Sequence, residues 1–214
     1  MNRREFVKGA VAVAGITVLG SSCAKETATN ETSNVAATEE PPLDQKANGE
    51  VKMKAAVVYF SWSGNTRFAA ETIAKKAGAD IFEIKAVKPY NSDFQKCCDE
   101  AKPECYGKTL RPIKPIEGLD LAKYGLVFVG SPNWWGTMAP PVRTWVTQSK
   151  DALKGKKVCL FQTHGGGGMQ SLGRDFAALL PESTVLEPKA FSGSSIKSSV
   201  KALEDFADER IAGK

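Results

Sequence analysis

The 214-residue sequence contains a single histidine, His164, and no cluster of carboxylates that could join it in a metal site. Transition metals in proteins are bound mostly by histidine, cysteine and carboxylate side chains, so this scarcity argues against such a site. The five cysteines fit no standard zinc spacing. The basic residues are scattered rather than gathered in a stripe, which argues against a nucleic-acid partner.

The sequence also lacks an apolar run long enough to span a bilayer, which takes about 20 residues. The N-terminal candidate, residues 9–20, is shorter and follows a basic start that contains Arg3 and Arg4. A basic start, a short apolar core and small residues after it predict an export signal. With Phe6 and Lys8, this start resembles a twin-arginine signal, and a plain secretory signal is the alternative.

The stretch LGSSC, which ends at Cys23, resembles a lipobox, in which Cys23 would be lipidated. Cleavage near Ala24 without lipidation is the alternative.

Residues 24–50 carry almost no bulky apolar side chain, so they are predicted to form a disordered tether. We therefore expect an export signal over residues 1–23, a tether over 24–50 and one folded domain over 51–214. The protein would be periplasmic, or a membrane-anchored lipoprotein that faces outside the cytoplasm.

Apolar runs alternate with helical patterns along residues 51–214. The predicted strands are residues 55–60, 81–84, 126–130, 158–161 and 184–186, and the predicted helices are residues 66–77, 92–101, 140–148, 169–180 and 195–211. Such alternation implies right-handed crossovers and a parallel sheet covered on both faces. The prediction is a doubly wound α/β domain with a five-stranded parallel sheet. Ser92 is predicted to cap the second helix, and a loop is predicted at Pro103.

Three loops rich in glycine and hydroxyl or aromatic side chains follow the first, third and fourth predicted strands. They are Ser61-Trp62-Ser63-Gly64-Asn65-Thr66, Ser131-Pro132-Asn133-Trp134-Trp135-Gly136-Thr137 and Gln162-Thr163-His164-Gly165-Gly166-Gly167-Gly168. In doubly wound sheets, ligands bind outside the carboxyl ends of the strands. We therefore expect the three loops to form one site.

The first loop has the composition of a phosphate-binding turn. Ser61, Ser63 and Thr66 supply hydroxyls, and Gly64 lets the backbone curve closely around an anion at the start of the next helix. No lysine follows the glycine, and a phosphoryl-transfer enzyme would bring a lysine and a metal. This favours a phosphate that is held rather than transferred. The alternative is an ordinary helix start capped by Ser63 or Asn65.

The second and third loops suit a flat ligand. Trp134 and Trp135 are adjacent, and either ring could stack on a ligand or form a hydrophobic plug beneath the loop. The run of four glycines that starts at Gly165 allows close backbone approach, or acts as a hinge. His164 could donate a hydrogen bond to the ligand edge or move a proton. An ordinary loop residue is the alternative for His164.

The stretches SWSGNT, WWGTMAPPVR and THGGGG resemble, in this order, the phosphate loop and the two ring-flanking loops of flavodoxins. The resemblance extends over most of residues 54–210 and includes a closing FSGSSI. It implies bound FMN, with the phosphate held by five residues of the first loop: Ser61, Ser63, Gly64, Asn65 and Thr66. The ring would lie between Trp134, Trp135, Gly136 and Thr137 on one side and Thr163, His164, Gly165 and Gly166 on the other. The implied site also includes Trp62, Ser131, Pro132 and Asn133.

The resemblance leaves three functions open. The first is an electron carrier between envelope redox proteins, and the second is an FMN-dependent reductase that takes electrons from a nicotinamide or a quinol to a small acceptor. The third is a flavin-free interaction module.

Residues 51–214 hold 24 Lys and Arg against 17 Asp and Glu, a net charge of +7. Typical flavodoxins are acidic, so the usual basic partners of the family do not carry over. A basic surface suits acidic partners or anionic surfaces, with an ordinary solvated surface as the alternative.

Four cysteines lie beyond Cys23. Cys159 falls inside a predicted buried strand and is expected to pack in the core. Cys97, Cys98 and Cys105 lie close together outside the three loops. Cys105 is predicted to form a disulfide with one of the adjacent two, and Cys98–Cys105 is the pair that we predict. A redox relay is the alternative.

Overall fold

Five segments form a central parallel sheet in the computed structural model, which describes residues 54–213. The strands are β1 (Ala55–Tyr59), β2 (Asp80–Glu83), β3 (Leu126–Trp134), β4 (Thr137–Met138), β5 (Lys157–His164) and β6 (Thr184–Ser192). The order across the sheet is β2-β1-β3-β5-β6, all parallel, while the short β4 pairs antiparallel with the end of β3. The predicted doubly wound five-stranded sheet is confirmed, and β4 is an addition to it.

Five α-helices cover the two faces of the sheet. They are α1 (Asn65–Ala77), α2 (Phe94–Tyr106), α3 (Pro140–Ser149), α4 (Leu172–Leu179) and α5 (Val200–Ile211). The strand β1 is buried along its whole length, and alternate residues point to opposite faces. Val58 therefore packs with α2, α3 and α4 in one core cluster, while Val57 packs with α1 and α5 in the other.

Three strands run further than their apolar patterns indicate. β3 continues past Gly130 because Pro132 pairs with Thr163 of β5, and because the last residues of β3 pair with β4. β5 and β6 extend together, and their last pair is His164 with Ser192. Pairing with a neighbour satisfies the backbone of polar residues, so the strand ends depend on tertiary partners rather than on local hydrophobicity.

Two helices also begin later than predicted. The predicted start of the fourth helix at residue 169 is wrong, since α4 begins at Leu172. The last helix is preceded by a 3₁₀ segment, Gly193–Ser198, so that α5 begins at Val200 rather than at residue 195.

The predictions for the second helix were wrong at both ends. Asp93, not Ser92, caps α2, because the Asp93 carboxylate accepts a hydrogen bond from the Lys96 amide at 2.9 Å. The helix then continues through Pro103 instead of ending before it. A proline inside a helix removes one backbone hydrogen bond, so other contacts must hold the last turn.

Those contacts come from both sides of the last turn of α2. Cys105 is buried in the core. Glu104 accepts hydrogen bonds from the Tyr90 hydroxyl, at 2.5 Å, and from the Arg111 guanidinium, at 2.8 Å. The Arg111 guanidinium also lies 3.6 Å from the centre of the Tyr90 ring. This network offsets the hydrogen bond that Pro103 removes.

The predicted Cys98–Cys105 disulfide is wrong. All four cysteines in the described part of the chain are free thiols. Cys98 and Cys105 lie on one continuous helix, and seven residues of helix rise by about 10 Å. Disulfide-bonded residues have Cα atoms closer than about 7 Å, so neither Cys98 nor Cys97 can reach Cys105. The prediction that Cys159 packs in the core is confirmed.

Some predictions lie outside the described residues. These are the export signal, the lipidation of Cys23 and the tether. Among the helices of residues 54–213, none combines the length and the apolar character needed to cross a bilayer.

Candidate functional site

A cavity of about 380 Å³ lies where the three predicted loops meet, at the carboxyl ends of β1, β3 and β5. This volume falls in the range of small-molecule sites, about 300–1,000 Å³. From the first loop it is lined by Trp62, Ser63 and Asn65, and from the second by Pro132, Asn133, Trp134 and Trp135. From the third loop it is lined by Thr163, His164 and Gly165. The remaining predicted residues do not line this cavity.

The start of α1 is open at the cavity. No side chain of the described residues caps this helix, so the alternative of a helix start capped by Ser63 or Asn65 is wrong. The N-cap is Gly64, whose φ of 90° favours glycine, and the Gly64 amide donates to Ser61 Oγ at 3.1 Å. An uncapped start leaves its first amides available, and the helix dipole favours an anion there. The exposed Ser63 hydroxyl lies beside them.

Among residues 54–213, no cationic side chain lines the cavity. Arg67 is the first basic residue after the loop, and its guanidinium donates to Glu83 Oε1 at 2.5 Å, toward β2. This hydrogen bond raises the pKa of Arg67. None of the residues that line the cavity is Asp, Glu, Lys or Arg. The binding chemistry on offer is therefore that of neutral amides and hydroxyls.

Thr66 ties the first loop to the third. Its side chain is 1% exposed, and its hydroxyl oxygen lies 2.8 Å from that of Thr163, also buried. The pair holds the start of α1 against the end of β5. Thr66 therefore positions the loop from behind rather than facing the cavity.

A tight hairpin carries the second loop. Trp134 pairs with Thr137, which leaves Trp135 and Gly136 as a two-residue turn with φ values of 48° and 79°. Positive φ at both central residues is the type I′ geometry that suits the twist of a hairpin. A tryptophan in this left-handed region costs about 1–2 kcal/mol. Backbone strain of this kind is typical of functional positions, and Trp135 lines the cavity with 37% of its surface exposed.

The two adjacent tryptophans have different surroundings. The Trp134 ring packs edge-on against Phe60, with centroids 5.7 Å apart, and against Tyr90, with centroids 4.9 Å apart. Trp134 thus forms the hydrophobic plug beneath the hairpin. Trp135 is left as the exposed ring that a flat ligand can cover.

An amide network joins the second and third loops. Asn133 Nδ2 donates to the Gly168 carbonyl at 2.8 Å, and Asn133 Oδ1 accepts from the Gly136 amide at 2.9 Å. Gln162 Nε2 donates to the same Gly168 carbonyl. Asn133 therefore sets the shape of the hairpin turn and its distance from the glycine loop at once.

Ser131 and Thr137 support the hairpin from beneath. Ser131 Oγ accepts from the Ala139 amide at 3.1 Å. Thr137 Oγ1 accepts from the guanidinium of Arg143, which is 6% exposed. Burial lowers the pKa of Arg143, and the charge of Asp175 opposes that effect. Both predicted site residues are buried, and neither lines the cavity.

His164 lines the cavity, and one hydrogen bond fixes the state of its ring. Its Nδ1 accepts a hydrogen bond from the Gly166 amide at 3.0 Å, and Gly166 has a φ of 130°. In the neutral ring the proton therefore lies on Nε2, which is a hydrogen-bond donor. The glycine at position 166 is required by this backbone geometry.

Six lining residues were missed from the sequence. They are Phe94, Cys97, Cys98 and Ala101 of α2, and Gly193 and Ser194 after β6. The i, i+4, i+7 spacing of Phe94, Cys98 and Ala101 marks one face of a helix and was the available signal.

The close approach of the Asn65 side chain explains why a glycine, Gly193, follows β6. A β carbon at Gly193 would lie 2.7 Å from Asn65 Nδ2, so a side chain there would displace Asn65. The stretch FSGSSI, residues 191–196, was identified from the sequence only through the family resemblance. Its contact with the first loop could not be predicted, because the two segments meet only in the folded protein.

Comparison with known proteins gives a consistent result. The family model described as Flavodoxin matches residues 54–206. A Bacteroides eggerthii DSM 20697 protein, whose structure is described as that of a flavoprotein, is 26% identical with a TM-score of 0.58, over 71% of this chain and 98% of that one. A Lactobacillus acidophilus NCFM flavoprotein solved in complex with FMN is 25% identical with a TM-score of 0.57, over 68% of this chain and 97% of that one.

The apo-form of the flavoprotein from Lactobacillus acidophilus NCFM has also been solved, by NMR. It is 26% identical to this chain, with a TM-score of 0.53. The match covers 72% of this chain and 99% of that one.

Proposed function

Because the flavodoxin family model matches residues 54–206, the chain belongs to the flavodoxin family, and we propose that it binds FMN and transfers electrons at the cell envelope. The observation that carries the proposal is one uncharged cavity with an uncapped helix start at one end and an exposed tryptophan in its wall. A similar flavoprotein from Lactobacillus acidophilus NCFM was solved with FMN, which supports the choice of cofactor.

The residues at the polar end fit the phosphate of FMN. The amides at the start of α1 and the Ser63 hydroxyl can donate to phosphate oxygens, and the positive end of the helix dipole favours the negative charge. Gly193 lets the Asn65 side chain lie close to the segment after β6, so two segments enclose this end. The absence of a lysine agrees with a phosphate that stays bound and does not react.

The residues around the middle of the cavity fit a flat ring. The Trp135 indole can cover one face, and the glycine loop allows backbone approach from the other side. His164 Nε2–H can donate a hydrogen bond to an oxygen or nitrogen at the ring edge, and can hold a proton there. FMN, when bound, supplies one- and two-electron chemistry, while the protein orients it and limits the access of water.

The direct test is to purify the full chain and examine it for flavin. We expect a yellow protein that releases one FMN per chain on denaturation, identified by absorbance and mass spectrometry. Photoreduction without oxygen would then give its midpoint potentials and show whether a semiquinone accumulates. A colourless protein that fails to take up added FMN would contradict the proposal.

The envelope location is proposed from the sequence pattern of residues 1–50. Changing Arg3 and Arg4 together to Lys should leave the yellow protein in the cytoplasm, because twin-arginine export depends on that pair. Cys23→Ser should move the exported protein from the membrane fraction to the soluble fraction, because the lipid would be lost. Cell fractionation with immunoblotting measures both. Unchanged distribution of both variants would argue against this location.

A further inference from the structure

Arg143 is a buried cation that the proposed FMN contacts do not use. It is 6% exposed, and its guanidinium donates a hydrogen bond to Thr137 Oγ1. Thr137 pairs with Trp134, so Arg143 is bonded to the hairpin whose turn residue Trp135 lines the cavity. Arg143 itself does not line the cavity. Any effect of Arg143 on a bound ligand is therefore exerted through the hairpin or by its charge.

Arg143 lacks the carboxylate partners of a comparable arginine. Arg111 is equally buried, and its guanidinium forms ion pairs with Glu104 at 2.8 Å and with Glu100 at 3.3 Å. No carboxylate of residues 54–213 forms an ion pair with Arg143, and the charge of Asp175 acts on it only at longer range. Burying a charge without a partner costs free energy, because the interior does not replace its hydration.

The position of Arg143 on α3 adds to this cost. Arg143 lies in the first turn of the helix, where its amide donates to the Ala139 carbonyl at 3.1 Å. The start of a helix is the positive end of its dipole, so a cation is disfavoured there. Burial lowers the pKa of Arg143, yet an arginine keeps its proton at neutral pH. The fold therefore holds a positive charge beside the hairpin that no ion pair within residues 54–213 neutralises.

A negative charge in the cavity would offset this cost. The cavity lining within residues 54–213 contains no Lys or Arg, so a charge that appears on a bound ring meets no cation in the wall itself. Buried charges interact through a lower effective dielectric constant than that of water, and salt screens them little. Arg143 is therefore placed to act on a charge that arises inside the cavity.

We propose that the positive charge of Arg143 stabilises reduced FMN relative to oxidised FMN and so raises the reduction potential of the bound cofactor. The proposal rests on the proposed function, because the negative charge arises on bound FMN. An external donor gives the oxidised ring two electrons and water supplies one proton, which leaves the ring with one negative charge. Arg143 stabilises that charge, whereas the oxidised ring is neutral. The phosphate is charged in both forms, so its charge does not alter the comparison.

The test compares the FMN-loaded full chain with Arg143→Met, which removes the charge and keeps a long side chain. Titration with dithionite in the absence of oxygen gives the midpoint potential, and its difference from that of free FMN gives the ratio of the affinities for reduced and oxidised FMN. We expect this ratio to fall at least tenfold in Arg143→Met, which equals a decrease of about 30 mV for a two-electron couple. The affinity for oxidised FMN, measured by flavin fluorescence, should change less than about threefold.

Two further variants separate the charge from other effects. Arg143→Lys keeps the charge but loses the planar guanidinium, so it should stay within about threefold of the parent ratio. Arg174→Met removes the same charge from a side chain that is 82% exposed, and it should not shift the potential, because solvent screens that charge. The flavin-free Arg143→Met protein should unfold at no lower urea concentration than the parent, since an unpaired buried charge is removed. If it does not fold, Arg143→Gln provides the uncharged comparison.

Several outcomes would overturn the inference. An unchanged potential in Arg143→Met, or the same shift in Arg174→Met, would show that the buried charge has no specific effect. Equal shifts in Arg143→Met and Arg143→Lys would show that the guanidinium only supports the hairpin. Equal weakening of oxidised and reduced FMN would assign the charge to the phosphate instead of the ring. Failure of the proposed function has a different signature, since the parent protein itself would then take up no FMN in either form.

Discussion

The first loop and the β3–β4 hairpin both follow buried parallel strands, yet they reach their shapes by different routes. In the first loop, the Gly64 amide donates a hydrogen bond to Ser61 Oγ, only three residues earlier, and no side chain of the described residues caps the helix that follows. The hairpin depends on distant residues, since Asn133 bonds to Gly168 and Ser171 Oγ donates to the Gly136 carbonyl at 2.8 Å. The turn of the first loop is therefore set by local contacts, although Thr66 also contacts the distant Thr163, whereas the hairpin needs the assembled fold for its shape.

The largest expected effect separates the two tryptophans of the hairpin. Trp134→Ala should lower the free energy of unfolding of the flavin-free protein by about 3 kcal/mol, because it removes a packed ring between Phe60 and Tyr90. Trp135→Ala should change it by less than about 1 kcal/mol, because that ring is exposed and stacks on no other aromatic ring of residues 54–213. Urea denaturation measures both. Equal losses would mean that the two rings are equivalent plugs.

The next effect concerns the phosphate end. Ser63→Ala should weaken FMN binding about tenfold or more, since a hydrogen bond to a charged group contributes roughly 1.5–3 kcal/mol. Its stability without FMN should stay unchanged, because Ser63 is exposed. Ser198→Ala, an exposed serine outside the cavity lining, is the matched control. Fluorescence titration with FMN measures the affinity, and equal affinities in the two variants would place the phosphate elsewhere.

A smaller effect tests the strain in the hairpin turn. Trp135→Gly should raise the stability of the flavin-free protein by about 1 kcal/mol relative to Trp135→Ala, because only glycine adopts a φ of 48° without cost. Both variants should lose FMN affinity to a similar extent, since each lacks the ring. Thermal denaturation compares their stabilities. If the alanine variant proves as stable as the glycine variant, the turn carries no strain.

The smallest effect distinguishes the thiols around the site. Burial raises the pKa of Cys97 to about 11 and those of Cys105 and Cys159 to about 12, so these groups stay protonated and shielded at pH 7.5. Iodoacetamide should therefore label the half-buried Cys98 first among the cysteines of residues 54–213. Peptide mass spectrometry over time measures this order. Labelling of Cys97 before Cys98 would contradict the burial of Cys97.

Much of the site could be predicted because its signals are local. Glycine after a buried strand, adjacent tryptophans and the run of four glycines each mark a loop in the sequence. What the sequence did not reveal are the roles within those loops. Thr66 and Thr137 supply hydroxyls like that of Ser63, yet both are buried and hold other segments in place. Only the packing around each hydroxyl distinguishes a ligand contact from a support.

Two of the wrong predictions share one physical cause. The end of α2 was placed before Pro103 because local propensity disfavours proline in a helix, but the Glu104–Arg111–Tyr90 network outweighs the lost hydrogen bond. The Cys98–Cys105 pairing was inferred from proximity in sequence, and the longer helix then holds the two residues about two turns apart. In both cases long-range contacts overrode a local rule.

By itself, the sequence determined the alternation of strands and helices, the position of the three loops and the lack of charge in them, because hydrophobic periodicity and residue type are local properties. The tertiary structure decided which tryptophan is exposed, which hydroxyls face the cavity and that α2 forms one wall of it. These depend on residues 30 to 100 positions apart, such as Phe60 with Trp134 and Thr66 with Thr163. Their contacts exist only once the sheet has brought the strand ends together.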